Sequence, residues 1–317
     1  MKKERKPKIV IMGGGTGLSV LLRGLKQYPV DITAVVTVAD DGGSSGRLRD
    51  ELEIPPPGDI RNVLVALSDV EPLVEALFQH RFTTGDGLKG HALGNLLLAG
   101  MTSITGDFYH AITETSKVLN VRGRVLPAAN QSAVLHAELE DGEIVTGESK
   151  IPHFGKKINR VFLTPEDVEP LCETLTEIKR ADLLVFGPGS LYTSILPNLV
   201  VNKIGDAVLA AKAKKVYVCN VMTQAGETKG YTAFDHVQAL HDHLGKPFID
   251  TAIVNNRDIP RELRKLYEEE MSEPVALDTN RFAEHNIEII QDRLAKYDDR
   301  VVRHDTLKLA SILYSLL

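Results

Sequence analysis

Lys8-Ile9-Val10-Ile11-Met12-Gly13-Gly14-Gly15-Thr16-Gly17-Leu18-Ser19 carries an apolar strand straight into a glycine loop and then a helix. Ile9, Val10 and Ile11 form the short β-branched run of a strand buried on both faces. Glycine at 13, 14, 15 and 17 removes the Cβ atoms that would hold a ligand away from the backbone N–H groups, and it permits positive φ where the turn requires it. A helix predicted from near Leu18 aims its free N–H groups and positive dipole end at this loop. The stretch therefore reads as an anion cradle, above all for phosphate. It departs from two familiar phosphate patterns: a dinucleotide fingerprint anchored at Gly13 needs Gly or Ala where Leu18 stands, and a P-loop needs a Gly-Lys-Ser/Thr triplet that the chain lacks.

The surrounding composition sets limits. With 317 residues and 43% hydrophobic content the chain is long and apolar enough for a full core. A net charge of −6 without a basic face argues against a nucleic-acid partner. The one basic cluster, residues 1–8, is expected to be a frayed, solubilising terminus. No apolar run approaches the length of a membrane span and no signal-peptide core follows the basic start, so a cytoplasmic location is expected. Cys172 and Cys219 lack a Cys-x-x-Cys partner and are expected as reduced, structural thiols.

A second strand, Ile32–Val38, ends in Ala39-Asp40-Asp41-Gly42-Gly43-Ser44-Ser45-Gly46-Arg47, expected as a loop. Asp40 and Asp41 suit either ribose hydroxyls or a divalent ion held against a phosphate. Gly42 to Gly46 also matches the Gly-x-Ser-x-Gly nucleophile elbow, but Ser44 lies several residues beyond the strand end and no oxyanion segment accompanies it. Pro55-Pro56-Pro57-Gly58 then delivers Asp59 to a helix start, as an N-cap or a ligand contact, with Asn62 on the same face. Residues 61–120 read as a helical insertion, with candidate helices at 71–81, 92–101 and 106–119. Within it Gly90-His91-Ala92-Leu93-Gly94-Asn95 places His91 and Asn95 on one side of a helix.

Residues 123–163 read as β-rich, with Asp141-Gly142 as a hairpin turn. Alternation of strands and helices then returns: a helix over 165–179, a strand over 182–186, a helix over 199–213, a strand over 215–219, a strand over 249–254, a helix over 260–270 and a final amphipathic helix after Thr306. Gly187-Pro188-Gly189-Ser190-Leu191-Tyr192-Thr193-Ser194 forms a second strand-to-glycine-loop junction, and Asn220–Thr228 is a polar loop expected at the same edge. Two such loops at the carboxyl ends of parallel strands are what a ligand site at a topological switch point needs. His236, His241 and His243 lack the i, i+4 spacing of a zinc pair and are expected as solvated or capping residues.

Taken together, Gly-Gly-Gly-Thr-Gly-Leu-Ser (13–19), Val-Ala-Asp-Asp-Gly-Gly-Ser-Ser-Gly-Arg (38–47), Pro-Pro-Gly-Asp-Ile-Arg-Asn (56–62), Gly-His-Ala-Leu-Gly-Asn (90–95) and Gly-Pro-Gly-Ser-Leu-Tyr-Thr-Ser (187–194) resemble the motifs of the YvcK gluconeogenesis factors, a branch of the CofD-like superfamily. The resemblance runs in order along nearly the whole chain. It implies an α/β, Rossmann-like three-layer αβα sandwich with a mostly parallel sheet. Residues 1–60 and 121–317 would form the nucleotide-sugar-binding core. It further implies a UDP-sugar ligand, UDP-N-acetylglucosamine, and a role in cell shape and peptidoglycan synthesis on gluconeogenic carbon. The CofD branch, by the same resemblance, transfers a phospholactyl group with Mg2+ held by aspartates, to which Asp41 and Asp59 correspond loosely; no motif carries the acceptor pocket.

The expected site follows. Gly13, Gly14, Gly15, Thr16, Gly17, Gly187, Gly189 and Ser190 hold the diphosphate. Asp40, Asp41, Asp59 and Asn62 face sugar hydroxyls or a metal, and Ser44, Ser45, His91 and Asn95 are further ligand-binding candidates. Tyr267 stacks on the uracil and Arg303 makes a charge-assisted contact to it. Thr306, just before the last helix, is a candidate phosphorylation site for a Ser/Thr kinase. Cell-wall synthesis proteins and a second copy of the chain are the other expected partners. Three functions remain open: a UDP-sugar-binding regulator, a Mg2+-dependent CofD-like transferase, and a hydrolase acting through Ser44.

Overall fold

The computed structural model describes residues 5–298 and 301–317. Its strands are β1 (Lys8–Gly13), β2 (Asp31–Val36), β3 (Arg124–Pro127), β4 (Val134–Leu139), β5 (Ile144–Thr146), β6 (Ile158–Thr164), β7 (Leu183–Phe186), β8 (Lys214–Val218), β9 (Thr251–Asn255), β10 (Glu288–Asp292), β11 (Ala295–Asp298) and β12 (Val301–His304). Its helices are α1 (Gly15–Leu25), α2 (Gly43–Leu52), α3 (Gly58–Leu67), α4 (Pro72–Gln79), α5 (Leu93–Thr105), α6 (Phe108–Val118), α7 (Cys172–Arg180), α8 (Leu196–Leu199), α9 (Ile204–Ala210), α10 (Ala233–Leu244), α11 (Arg261–Glu269), α12 (Thr279–Glu284) and α13 (Thr306–Ser315). Seven strands pair in the order β10-β9-β8-β7-β1-β2-β3, every pair parallel. The chain thus winds from β1 to one edge and, after an excursion, returns beside β1 and winds to the other. This is the doubly wound, Rossmann-like α/β architecture that the sequence predicts.

The central strand shows why. Ile9 and Ile11 face one layer, built from α1, α3 and α13 through Leu21, Leu22, Val63, Leu64, Leu309 and Leu313. Val10 and Met12 face the other, with Ile178, Val208, Val237 and Leu240. A strand covered on both faces has to be apolar at every position, and β1 is. The helices from 72 to 118 add Phe78, Leu98 and Ile112 to the first layer, so they extend that core rather than build one of their own.

Several expectations need correction. The β-rich stretch divides: β3 joins the main sheet, while β4, β5 and β6 form a separate antiparallel sheet in the order β5-β4-β6, turned at Gly142 as expected. The helix expected over 165–179 starts only at Cys172, because Pro170 bridges to Ala129 and the N–H of Leu171 goes to the Ala128 carbonyl. The helix expected over 199–213 breaks into α8 and α9 at Lys203, whose φ of +62° is left-handed. Gly42–Gly46 is not a loop: α2 starts at Gly43. Before α13 lies a hairpin, β11 with β12, that the periodicity does not reveal. Of the basic terminus, residues 1–4 lie outside the described residues, whereas Arg5 pairs with Asp182 at 2.9 Å and Lys8 with Asp31 at 2.9 Å. Among the described residues no helix is long and apolar enough to cross a membrane, and Cys172 and Cys219 are both free thiols.

One contact fixes the C-terminal helix on this frame. A Cβ at Gly24 of α1 would lie 2.7 Å from the Thr306 carbonyl oxygen and 3.0 Å from the Ala310 Cβ. Overpacking of that kind costs about 1–3 kcal/mol. Gly24→Ala should therefore lower the urea and thermal unfolding midpoints while leaving the far-UV spectrum unchanged. An unchanged midpoint contradicts the close crossing of α1 and α13.

Candidate functional site

β1 and β7 are neighbours, with Met12 opposite Phe186, and from them the chain winds in opposite directions. Both end in glycine loops at the same edge, which is where an open parallel sheet leaves its crevice. The first loop is shorter than expected, since α1 already begins at Gly15, leaving Thr16 and Gly17 in its first turn. Gly15 takes φ +64°, a left-handed conformation that favours glycine. The other glycines are needed for room. A Cβ at Gly17 would stand 2.7 Å from the Pro188 carbonyl oxygen, and one at Gly14 would stand 2.6 Å from Oδ2 of Asp59. The two loops thus touch backbone to backbone, and the first also packs on the Asp59 side chain from the start of α3.

The second loop runs into a widened turn: the N–H groups of Ser194 and Ile195 both donate to the Ser190 carbonyl, each at 3.0 Å. Such π-type turns concentrate at functional sites. Ser190 is held by Gln224, whose Nε2 donates to Oγ at 2.7 Å. Between the loops lies a cleft of about 900 Å³, lined on the near side by Gly14–Gly17, Gly189, Ser190 and Ser194. The polar loop after β8 forms its flank, as the sequence predicts. The far wall comes from Tyr267 of α11 and from Val301–Thr306. Tyr267 accepts the Val302 N–H at 2.9 Å through its hydroxyl, which ties α11 to β12 and leaves the ring along the cleft. His304 bonds the Cys219 carbonyl at 3.0 Å and anchors the same strand beneath β8.

Carboxyl groups gather at one end. Asp59 sits behind the first loop, and burial, then the Asp40 charge, push its carboxyl up to about 6 against an opposing hydrogen bond from Gly15. Glu148, which follows β5 and lines the cleft, is pushed up to about 8 by burial and then by Asp40, Asp59 and Asp41. Asp40 accepts the Gly42 N–H at 2.9 Å. Asp41 turns to the backbone, accepting the Ser149 N–H at 2.8 Å. Among the described residues no three His, Cys, Asp or Glu side chains enclose a metal site. Asp59, with Glu148 across the cleft end, suits Mg2+ only in the manner typical of that ion, one or two carboxylates completed by ligand phosphates and water.

Of the expected site residues, Gly14, Gly15, Thr16, Gly17, Asp59, Asn62, Gly189, Ser190, Tyr267, Arg303 and Thr306 all line this one cleft. Gly13 and Gly187 lie directly behind it at the ends of β1 and β7. Asn62 accepts Nη2 of Arg61 at 2.8 Å through its carbonyl oxygen, which presents its amide nitrogen as a donor. Ser44, His91 and Asn95 do come together, but away from the cleft. The Ser44 hydroxyl lies 3.0 Å from Nδ1 of His91 and accepts Nδ2 of Asn95 at 3.0 Å, all three buried. They knot the start of α2 to the start of α5. Ser45 is buried in the same first turn of α2, packed against Gly58. The three α10 histidines are not solvated as expected: His236 and His241 are buried, and His241 and His243 accept the N–H groups of Ile249 at 3.2 Å and Val161 at 3.0 Å.

The reading of the sequence missed Glu148, Glu227 and Ser272. Glu227 lies in the polar loop already expected at this edge, so its position was a usable signal. Glu148 had none, because it arrives from the small antiparallel sheet.

The family model for 2-phospho-L-lactate transferase CofD matches residues 9–295. The chain is 67% identical over 313 residues to the gluconeogenesis factor of Bacillus subtilis, covering 99% of both. It is 61% identical over 306 residues to that of Halalkalibacterium halodurans, covering 96% of this chain and 95% of the relative. It is 47% identical over 317 residues to that of Listeria monocytogenes, covering 100% and 98%. An X-ray crystal structure of a Bacillus halodurans protein superposes with a TM-score of 0.96 at 60% identity, covering 98% of this chain and 100% of that one. The two glycine loops, their cleft and these likenesses along the full length place the chain in the CofD family, among its YvcK-type gluconeogenesis factors.

Proposed function

We propose that this protein binds a UDP-sugar, UDP-N-acetylglucosamine, and acts as a regulator that links that ligand to cell shape and peptidoglycan synthesis during growth on gluconeogenic carbon. The observation that carries the reading is the meeting of two glycine loops at the switch point across one cleft, with an aromatic ring on the opposite wall. The cleft's volume of about 900 Å³ lies within the range of about 300–1,000 Å³ usual for small-molecule sites. Gly14–Gly17 and Gly189–Ser190 receive the diphosphate, Tyr267 and Arg303 the uracil, and Asn62 with Asp59 the sugar hydroxyls. The names of the relatives support the link to gluconeogenic growth. Thr306 opens α13 at the cleft rim, so a phosphate added there would set a dianion beside Arg303.

The Mg2+-dependent transferase remains the second reading, favoured by Asp59 and Glu148 in the cleft lining, with the Asp40 charge near enough to raise both, and by the family. Ser44 gives the hydrolase reading no support: its hydroxyl is buried and bonded inside the α2–α5 knot.

Calorimetric titration with UDP-N-acetylglucosamine should show saturable binding, and chromatography should recover the ligand intact. Released UDP or UMP favours the transferase, and no binding overturns the reading. Base–aromatic stacking is worth about 1–3 kcal/mol, so Tyr267→Ala should weaken binding by about 5- to 150-fold while Tyr267→Phe keeps most of it. The acids add a pH signature. Asp59 and Glu148 have pKa values raised to about 6 and about 8, so both are protonated at low pH and gain charge as pH rises. A diphosphate favours the neutral forms. Without divalent ions, affinity should fall between pH 6 and pH 8, by up to about tenfold per pH unit for each proton taken up, and Glu148→Gln should flatten the upper part of that profile.

A further inference from the structure

The turn after β8 grips the second glycine loop at three points. Glu227 is only 4% exposed, and it lies behind the widened turn, outside the lining of the cleft. Its Oε2 accepts the Tyr192 N–H at 3.1 Å and its Oε1 accepts the Thr193 hydroxyl at 3.0 Å. Gln224, three residues earlier, donates to Ser190 Oγ at 2.7 Å. The two anchors are one rigid unit, since the N–H groups of Glu227 and Thr228 both donate to the Gln224 carbonyl, at 3.1 and 2.9 Å. The unit is itself pinned: Gly226, at φ +75°, packs against the Pro152 backbone with no space for a side chain.

A buried carboxyl is an expensive way to close a turn. Burial pushes Glu227 up to about 7 despite the hydrogen bonds it accepts. What a carboxylate alone supplies is two acceptor oxygens at fixed spacing, so both donors can be taken from one side chain. With Tyr192, Thr193 and Ser190 Oγ drawn back in this way, the Gly189–Ser190 backbone and the Ser194 hydroxyl are the parts of the loop that border the cleft.

We propose that Glu227 is a positioning residue for phosphate recognition: by holding Tyr192 and Thr193, and Ser190 through Gln224, it sets the second glycine loop in the shape that receives a diphosphate. This rests on the UDP-sugar reading above. Glutamine at 227 keeps one acceptor for the Tyr192 N–H but removes the charge and sets an amide donor against Thr193, whose hydroxyl must turn round to accept, so it weakens the grip without changing size.

The test compares wild type, Glu227→Gln and Thr193→Val for affinity toward UDP-N-acetylglucosamine, UDP and uridine. Loss of a hydrogen bond to a charged group should weaken UDP-N-acetylglucosamine and UDP by about tenfold or more in Glu227→Gln, and by about threefold in Thr193→Val. Uridine, which lacks phosphate, should bind all three proteins alike. Equal losses for uridine and UDP mean a general structural role and overturn the proposal, as does unchanged UDP affinity in both variants. Should Glu227→Gln fail to fold, Thr193→Val, which keeps the carboxylate and removes one bond to it, decides alone. Wild type that binds neither UDP nor UDP-N-acetylglucosamine overturns the ligand reading and this inference with it, a result distinct from tight wild-type binding that the variants leave unchanged.

Discussion

Everything near the cleft depends on how closely two strand ends can approach. β1 and β7 are hydrogen-bonded neighbours, so the chains leaving them emerge about 5 Å apart, the spacing of strands in a sheet. A side chain at Gly17, on the first turn of α1, would strike the second loop at the Pro188 carbonyl. The same argument reaches α3 through Gly14, where the neighbour is the carboxyl of Asp59. The glycines therefore do two jobs. They clear backbone donors for an anion, and they let three elements meet at one point so that the donors converge.

That convergence has an electrostatic consequence. Asp59 is drawn behind the first loop by packing, where burial and then the Asp40 charge raise its carboxyl, and Glu148 is raised by burial and then by Asp40, Asp59 and Asp41. Carboxylates beside a phosphate cradle oppose the ligand unless protons or a cation neutralise them. The N-termini of α1 and of the turn after Ser190 supply fixed positive ends but no net charge. Arg303 is the basic side chain lining the cleft, and it lies on the far wall. Ligand charge, carboxyl protonation and any divalent ion are thus coupled in this site, and each has to be measured with the others controlled.

The main sheet was legible because its signals are local. A β-branched run followed by glycines marks β1, and the same junction recurs after β7; their adjacency at a switch point follows from the alternation of strands and helices between them. Tyr267 and Arg303 were chosen by their chemistry for a uracil that the family resemblance implied, and both line the cleft. What stayed hidden depends on packing between distant segments. Ser44, His91 and Asn95 carry residue types that suit chemistry, yet the fold spends their hydrogen bonds on one another, because the start of α2 is pressed against the start of α5. Glu148 is brought in by a separate sheet whose docking no periodicity encodes. The break at Lys203 turns on a left-handed residue with nothing in its side chain to announce it.

The family match ends partway along the far wall, after Tyr267 and before Val301. The transferase family model covers residues 9–295 and so takes in both glycine loops, Asp59, Asn62, Glu148 and Glu227. It stops before Val301–Thr306, which close the cleft opposite those loops. The gluconeogenesis factors match this chain over nearly its full length, that segment included. The proposed diphosphate contacts fall in the matched part, since the loops and their supports lie wholly within it. β12 and the start of α13 border the cleft opposite the loops, held in place by Tyr267 from within the match and by the close crossing of α13 on Gly24. A fold can keep its cradle and change its ligand by rebuilding one wall, and in this chain Val301–Thr306 is the part of the cleft lining that lies beyond the transferase match.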